Sequence, residues 1–339
     1  MLRISADKLD SLFEAVSSGQ TLYIPADRED GEAEFRKYES GMKLSCRLNT
    51  LRSAKDFFFP QTENLVEFKL EGKKIEINDI REECEDFVIF GVRACDARSF
   101  TILDKVYLAD PVDSFYKNRR DHGTVVTLAC SRPAETCFCQ TFGIDPIEPE
   151  GDCSVWNDGG YYYFKANTDK GQKFVDSVSA LLEDGDASGL ESAKEKTKSV
   201  MSKLPLANIS TENFGGDKLD EYFRSEKWAE LSESCLGCGT CTFVCPTCQC
   251  YDIRDYDTGH GIKRYRCWDS CMYSDFTKMA HGNPRLTQLE RFRQRFMHKL
   301  VYFPANNNGE FGCVGCGRCL AKCPISMNIV KVMKALEAK

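Results

Sequence analysis

The sequence predicts an α/β region over residues 1–165, a mostly helical connection over 166–232, and a mainly α-helical, cysteine-rich region over 233–339. Two observations predict this division. Strand-like and helical segments alternate in the first region. The cysteines are also spread unevenly: seven of the nineteen lie in the first region, none lies between Cys153 and Cys235, and the other twelve follow. A chain of 339 residues is long enough for two or three domains.

The first region has the pattern of an α/β fold. The segment from Ser5 to Gly19 places apolar side chains on one helical face and ends at a glycine, which suits the end of a helix. Six runs rich in β-branched and aromatic residues predict strands: TLYIP (21–25), NLVEFKL (64–70), KKIEI (73–77), DFVIFGV (86–92), TVVTLAC (124–130) and YYYFKA (161–166). Because helical sequence separates the fourth run from the fifth, we expect these two strands to be parallel neighbours.

Composition limits the possible function classes. The chain is 42% hydrophobic and 29% charged, as in globular proteins, and its net charge of −7 does not favour nucleic-acid binding. It has no apolar run of the roughly 18 residues needed to span a membrane, and its N-terminus does not resemble a secretory signal. We therefore expect a cytoplasmic protein without a nucleic-acid or membrane partner. Nineteen cysteines in that compartment point to metal rather than to disulfides.

The cysteine-rich region contains the same ligand pattern twice. Each copy reads C-x2-C-x2-C-x3-C-P, which is the ligand run of bacterial ferredoxins. The copies consist of Cys235, Cys238, Cys241 and Cys245, and of Cys313, Cys316, Cys319 and Cys323. Glycines inside each run allow tight backbone turns that aim N–H groups at sulfur. The pattern predicts a bacterial-ferredoxin-like domain with two [4Fe–4S] clusters.

We expect the two clusters to be ligated crosswise. Three closely spaced cysteines reach three corners of one cube, and the fourth lies beyond the reach of that cube and ligates the other one. The predicted ligand sets are Cys235, Cys238, Cys241 and Cys323 for one cluster, and Cys313, Cys316, Cys319 and Cys245 for the other. Structural zinc is the alternative, although zinc sites usually pair two C-x2-C units across a longer spacer.

A long insertion, residues 246–312, separates the two motifs. It contains four more cysteines, which can be metal ligands or buried small hydrophobic residues: Cys248, Cys250, Cys267 and Cys271. It also contains the basic segment 286–303, which predicts a helix. The helix and its flank carry five cations against the single acid Glu290: Arg285, Arg291, Arg293, Arg295 and Lys299. The helix can neutralise the anionic clusters from inside, or it can present its arginines to an acidic partner subunit.

Four cysteines of the α/β region predict a third site. Cys95 and Cys130 each follow a predicted strand, and the carboxyl ends of parallel strands meet at one edge of a sheet. Cys137 and Cys139 follow closely. These four thiols predict a third [4Fe–4S] cluster. Free thiols are the alternative, and the tight C-x-C spacing leaves a distorted or non-cubane arrangement open.

The remaining residues near these cysteines are assigned from context. Arg93, Asp96 and Arg98 flank Cys95, so they can bind the cofactor through hydrogen bonds and tune its potential by charge. Alternatively they are surface charges of a loop. Three cysteines lack any such context and are predicted to be packing residues: Cys46, Cys84 and Cys153.

The motifs together resemble a known family. GVRACDA, LAC…ETCFC, CLGCGTCTFVCPTCQCYD, WDSCM, RFRQRFMHKL and CVGCGRC occur here in the order found in dicluster iron–sulfur subunits. That family includes the A subunit of anaerobic sulfite reductase and the beta subunit of soluble NiFe hydrogenases (sulfhydrogenases). The resemblance spans most of residues 85–325. Its cysteines match the four of the α/β region and three of the insertion, Cys248, Cys250 and Cys271, but not Cys267.

The resemblance implies an electron-transfer subunit that is not catalytic on its own. Its implied partners are a flavin-containing, NAD(P)H-binding reductase subunit and a catalytic oxidoreductase subunit. The sequence itself carries no dinucleotide fingerprint, no phosphate-binding loop and no nucleophile elbow. Two alternatives remain: a reductase of disulfide or sulfur compounds at the N-terminal cluster, and a zinc-stabilised binding module.

Overall fold

The structure is a computed structural model that describes residues 1–47, 49–80 and 84–338. Within these ranges the strands are β1 (Leu2–Ser5), β2 (Thr21–Asp27), β3 (Ala33–Lys37), β4 (Thr62–Glu71), β5 (Lys74–Asp79), β6 (Phe87–Val92), β7 (Gly123–Leu128), β8 (Cys153–Asn157), β9 (Tyr161–Ala166), β10 (Glu183–Asp184), β11 (Tyr251–Asp257) and β12 (Ile262–Trp268). All six strands predicted from the sequence are confirmed.

The α-helices of the same ranges are α1 (Leu9–Gly19), α2 (Ala94–Tyr107), α3 (Ser114–His122), α4 (Asp169–Ser177), α5 (Ser188–Met201), α6 (Leu219–Phe223), α7 (Lys227–Glu233), α8 (Thr240–Phe243), α9 (Gln288–Met297), α10 (Phe303–Asn306), α11 (Arg318–Ala321) and α12 (Ile329–Glu337). A π-helical turn, His298–Tyr302, joins α9 to α10. The predicted basic helix is therefore present, and α9 begins with a capping box of Thr287 and Glu290.

A mixed eight-stranded sheet forms the α/β region, in the order β10-β1-β9-β8-β7-β6-β2-β3. Its centre is parallel: β6 pairs with β2 on one side and with β7 on the other. This pairing confirms the predicted parallel neighbours, which are linked by α2 and α3. Every residue of β6 is buried, as expected for a parallel strand covered on both faces.

Helices cover both faces of this sheet. On one face Val88 and Phe90 of β6 pack with apolar residues of α1 and α4. On the other face Phe87 and Ile89 pack with α2. The alternation of side chains along β6 thus places two separate cores on opposite sides of one strand.

A second, antiparallel sheet joins distant parts of the chain, in the order β11-β12-β4-β5. The hairpin β4–β5 comes from the α/β region, whereas β11–β12 comes from the insertion between the two cysteine motifs. Strand β12 pairs with β4 from Ile262 opposite Phe68 to Cys267 opposite Thr62. The sequence analysis predicted a mainly α-helical C-terminal region and assigned no strands to the insertion, so this hairpin is an element that it missed.

The C-terminal helices form their own core. Side chains of α7, α9 and α12 pack together around Trp228, Phe292 and Met333, each of which is almost fully buried. A smaller cluster connects this core to the α/β region, because Cys95 of α2 lies with Met201 of α5 and Cys316. The second cysteine motif is therefore held at the junction between the two regions.

Candidate iron–sulfur sites

Four cysteines line a cavity that we call the outer site: Cys235, Cys238, Cys241 and Cys323. Three of them come from the first motif, and the fourth comes from the second. Gly237 and Gly239 adopt φ values of +64° and +74°, a conformation that glycine tolerates best. The backbone N–H of Gly237 donates to Sγ of Cys235 at 3.5 Å. Cys238 is exposed, so this site reaches the protein surface.

The middle site is a second cavity, and its four cysteines are Cys245, Cys313, Cys316 and Cys319. The backbone N–H of Gly315 donates to Sγ of Cys313 at 3.5 Å, which repeats the arrangement at the outer site. The last cysteine of each motif thus lies with the first three of the other motif. This crosswise grouping is the one that the predicted ligand sets require.

Two cations of the basic helix segment enter the middle site. Arg295 and Lys299 both line its cavity and are 3% and 4% exposed. Burial acts to lower the pKa of Arg295, but the neighbouring side chains of Cys248, Cys245 and Cys241 raise it well above its usual value. Its Nε and Nη1 are buried and have no hydrogen-bond partner within the described ranges. Unpaired donors among thiols suit an anionic iron–sulfur group, whose sulfur atoms accept hydrogen bonds.

The N-terminal site is a third cavity, and its four cysteines are Cys95, Cys130, Cys137 and Cys139. Cys95 lies in the first turn of α2 after β6, and Cys130 lies two residues beyond β7. Parallel pairing of these strands brings both to one edge of the sheet. Burial raises the pKa of the Cys130 thiol to about 11 and that of Cys95 well above its usual value.

The N-terminal and middle sites touch each other. Cys316 lines both cavities. The backbone N–H of Phe138 donates to the carbonyl oxygen of Gly315 at 2.9 Å. The side chain of Asn49 also spans the two sites, because its Nδ2 lies 2.8 Å from the carbonyl oxygen of Cys316 and 3.9 Å from Sγ of Cys137. The sequence gives no indication that Asn49 belongs to these sites, because it reaches them from a loop that is distant along the chain.

The three charged residues that flank Cys95 lie in different surroundings. Arg93 is buried, and its guanidinium points to the carbonyl oxygens of Leu128 and Ala129, both at 3.4 Å. Asp96 is 1% exposed and forms an ion pair with Arg318 of the second motif. Arg98 points elsewhere.

Arg98 forms ion pairs with Glu150 at 3.0 Å and with Glu310 at 3.8 Å. It is not among the residues that line the N-terminal cavity. The sequence analysis grouped Arg98 with Arg93 and Asp96 as cofactor-binding. The arrangement of its ion pairs corresponds to the alternative, a charged residue at the surface.

Three cysteines of the insertion lie beside the middle site as paired thiols. Cys248 shares a hydrogen bond with Cys245, and Cys250 shares one with Cys271. Lys55, which the sequence analysis did not single out, donates from Nζ to the carbonyl oxygen of Cys248 at 2.9 Å. Burial lowers the pKa of Lys55 to about 8. The fourth extra cysteine of the insertion, Cys267, lies on β12 opposite Asp252 and Thr62.

The three predicted packing cysteines differ in exposure. Cys153 is fully buried in the core of the eight-stranded sheet. Cys84 is half-buried. Cys46 is exposed, so the prediction that it packs in the interior is wrong. It lies in an irregular segment after β3, where no periodic pattern could indicate which side chains turn inward.

Comparisons with known proteins identify an iron–sulfur domain that contains both cysteine motifs. Residues 234–327 match the family described as "4Fe-4S dicluster domain". The chain is 36% identical over 337 residues to sulfhydrogenase 2 subunit beta of Pyrococcus furiosus, and the match covers 98% of this chain and 97% of the relative. No solved structure matches it significantly. Among the described residues, no helix combines the length and the apolar character needed to cross a membrane.

The family assignment rests on the length of this match. An identity of 36% along nearly all of both chains includes the α/β region as well as the two cysteine motifs. The chain therefore belongs to the family of dicluster [4Fe–4S] electron-transfer subunits that includes the sulfhydrogenase beta subunit.

Proposed function

We propose that the chain carries three [4Fe–4S] clusters, at the outer, middle and N-terminal sites, and relays single electrons as one subunit of a larger oxidoreductase. The observation that carries this proposal is the grouping of twelve cysteines, four around each of three cavities. Each group offers four thiols, the number of ligands that a [4Fe–4S] cluster takes. Such clusters would supply one-electron acceptance and release.

The spacing of the thiols supports iron–sulfur clusters over structural zinc. Zinc needs all of its sulfur ligands at about 2.3 Å from one ion. In a cubane each thiolate binds a different iron, so the sulfur atoms surround a wider cavity. Across residues 1–47, 49–80 and 84–338, no three histidine, cysteine, aspartate or glutamate side chains converge closely enough to hold a single metal ion. The unpaired donors of Arg295 add support for an anionic group at the middle site.

The order of the three sites supports a relay. The N-terminal site shares Cys316 with the middle site. Arg295 connects the middle site to the outer site, because it lines the middle cavity and donates to the carbonyl oxygen of Cys241. Cys238 is exposed at the far end of this row. The protein's part in such a relay is to fix the spacing of the cofactors and to set their potentials.

We also propose the partners and the location. Electrons would pass between a flavin- and NAD(P)H-binding reductase subunit and a catalytic oxidoreductase subunit of the hydrogenase or sulfite reductase type. The similarity to a sulfhydrogenase subunit supports membership of a multisubunit complex. The cytoplasm is the proposed location, because none of the nineteen cysteines forms a disulfide, as expected in a reducing compartment.

Iron and acid-labile sulfide analysis of anaerobically prepared protein tests the proposal. Three clusters correspond to about twelve irons per chain. About eight irons per chain would show that the N-terminal site holds no cluster. About sixteen irons per chain would indicate a fourth cluster, with Cys248, Cys250 and Cys271 among its ligands. The iron count therefore decides the role of these three cysteines. Bound zinc, in a protein that does not absorb visible light, would contradict the proposal and support the zinc-stabilised binding module instead.

The reductase alternative is tested on the isolated chain. Four cysteines line the N-terminal cavity, so every iron of a cubane there can have a protein ligand. This arrangement does not favour an open iron that binds a disulfide or sulfur compound. We expect dithionite-reduced protein to stay reduced when such compounds are added, and to become oxidised only when an electron-accepting partner is added.

A further inference from the structure

Charged side chains are distributed unequally among the walls of the three cavities. The middle cavity is lined by Arg295 and Lys299, both of which are almost fully buried. Apart from the thiols, the described residues that line the outer cavity carry no ionisable side chain. The same is true of the described residues around the N-terminal cavity. The wall of the middle site therefore contributes two buried cations that have no counterpart in the walls of the other two sites.

The hydrogen bonds of these two cations do not neutralise their charges. Lys299 donates from Nζ to the carbonyl oxygen of Thr247 at 2.9 Å and to its hydroxyl at 2.7 Å. Arg295 donates from Nη2 to the carbonyl oxygen of Cys241 at 2.9 Å, and its Nε and Nη1 have no partner within the described ranges. All of these acceptors are neutral. Because a buried charge is costly without an opposite charge nearby, both cations require an anionic neighbour.

The charges near the N-terminal cavity lie behind its walls. Arg93 is buried, with its guanidinium 3.4 Å from the carbonyl oxygens of Leu128 and Ala129, and it does not line the cavity. Asp96 and Arg318 form a bidentate ion pair that has no net charge. The N-terminal site therefore has less positive charge close to it than the middle site.

The outer site shares only one of the two cations. Arg295 reaches it through the carbonyl oxygen of Cys241, whereas Lys299 lines the middle cavity alone. Cys238 of the outer site is exposed, so water screens charges there, whereas Cys245 and Cys316 of the middle site are buried. Because electrostatic interactions are stronger where water is excluded, both cations act most strongly on the middle site.

We propose that Arg295 and Lys299 make the middle cluster the first of the three to be reduced, so that the first electron rests at the buried centre of the row. The inference rests on the proposed function, because it needs a cluster at each site. An added electron makes a cluster more negative, so buried cations in the cavity wall favour the reduced form. The electron comes from the electron-donating partner of the proposed relay, and its transfer forms and breaks no covalent bond.

The order of reduction in the unaltered holoprotein is the first test. Electron paramagnetic resonance during a redox titration follows each cluster as it is reduced. Variants Cys238→Ser and Cys130→Ser assign the signals of the outer and N-terminal clusters. We expect the middle cluster to be reduced at the highest potential of the three. Earlier reduction of either other cluster would contradict the inference, and this result does not depend on the folding of a variant that lacks one of the cations.

Lys299→Met is the second test, because it removes the charge from a side chain of similar length. We expect the ratio of reduced to oxidised middle cluster at a fixed potential to fall about tenfold, equivalent to about 59 mV for one electron. The potentials of the outer and N-terminal clusters should change much less. Arg295→Lys keeps the positive charge and should leave the potential of the middle cluster close to that of the unaltered protein.

Lys170→Met is the matched control. Lys170 is partly buried and donates from Nζ to the carbonyl oxygens of Arg120 at 2.7 Å and Gly123 at 3.0 Å, but it lines none of the three cavities. It loses the same charge and similar contacts, so it should change stability without moving any potential. An unmoved middle potential in Lys299→Met, or an equal shift in both variants, would overturn this inference alone. An iron content well below about twelve per chain would count against the proposed function itself.

Discussion

Arg295 of α9 donates a hydrogen bond of 2.9 Å from Nη2 to the carbonyl oxygen of Cys241, inside the first cysteine motif. Lys299 acts similarly one turn later, with Nζ 2.9 Å from the carbonyl oxygen of Thr247 and 2.7 Å from its hydroxyl. Both cations are buried. Of the two roles that the sequence leaves open for the basic helix, these contacts support internal neutralisation over docking to a partner.

The first prediction concerns the charge of Arg295. We expect Arg295→Gln to lower the iron content of the outer and middle sites and to reduce thermal stability, because the anionic cofactors lose their buried counter-charge. Removing one partner of a buried ion pair typically costs about 3–5 kcal/mol. Arg293→Gln is the matched control on the same helix. Its guanidinium lies 3.8 Å from the centre of the Phe223 ring, away from the thiols.

The measurements are iron and sulfide per chain and the midpoint of thermal unfolding, for both variants in parallel. Arg295→Lys keeps the charge and should retain more iron than Arg295→Gln. If Arg295→Gln bound iron normally and instead weakened assembly with a partner subunit, the docking role of the helix would have to be reinstated.

The second prediction concerns the contact between two cysteine loops. A Cβ on Gly315 would lie 2.4 Å from the carbonyl oxygen of Phe138, and the residue also has a φ of +58°. Gly315→Ala should therefore push the loops apart and disturb both the middle and the N-terminal clusters. Iron should fall from about twelve towards about four per chain.

Gly143→Ala separates backbone strain from this steric contact. Gly143 has a similar φ of +69°, but a Cβ there would meet nothing within 4 Å. It should cost only the strain of a left-handed residue, about 1–2 kcal/mol, and leave the iron content unchanged. Equal iron loss in the two variants would show that backbone strain, and not the loop contact, is responsible.

Sequence reasoning predicted the elements that local patterns determine. Buried strands such as β6 are recognisable as continuous apolar runs. The spacing of the cysteine motifs predicts that Cys323 groups with Cys235. The hairpin β11–β12 has no such signal, because β11 (YDIRDYD) is mostly charged and β12 pairs with β4, which lies almost 200 residues earlier in the chain. The ion pair of Asp96 could not be predicted for the same reason, because its partner Arg318 lies 222 residues away in the chain.

The third prediction tests the sheet that joins the two regions. Arg266 of β12 and Glu63 of β4 form an ion pair in which both side chains are about 5% exposed, with Nη2 2.6 Å from Oε2. Arg266 also contacts Asp113. Replacing it by Met leaves these carboxylates with fewer partners, so we expect a loss of about 3 kcal/mol of unfolding free energy.

Denaturant unfolding and limited proteolysis of the 251–268 hairpin measure this effect, and the iron content should stay unchanged. Arg264→Met is the control on the same strand. Arg264 pairs with Asp255 at the surface, where the two side chains are 44% and 48% exposed. Such pairs are worth less than about 1 kcal/mol. Equal losses in the two variants would show that the buried pair does not hold the sheets together.

The last prediction concerns crosswise ligation. Cys245 belongs to the first motif, but it lines the middle cavity with the cysteines of the second motif. Because Cys248 is within hydrogen-bonding reach of Cys245, the informative variant replaces both by Ser and so removes the substitute ligand. We expect it to lose the spectroscopic signal of the middle cluster first. The outer cluster keeps Cys235, Cys238, Cys241 and Cys323 and should weaken only as the loops lose order.

Cys153→Ser, at a fully buried cysteine of the sheet core, controls for the loss of a buried thiol and should keep all clusters. Selective loss of the outer cluster in the double variant would contradict the crosswise assignment, since Cys245 would then ligate within its own motif.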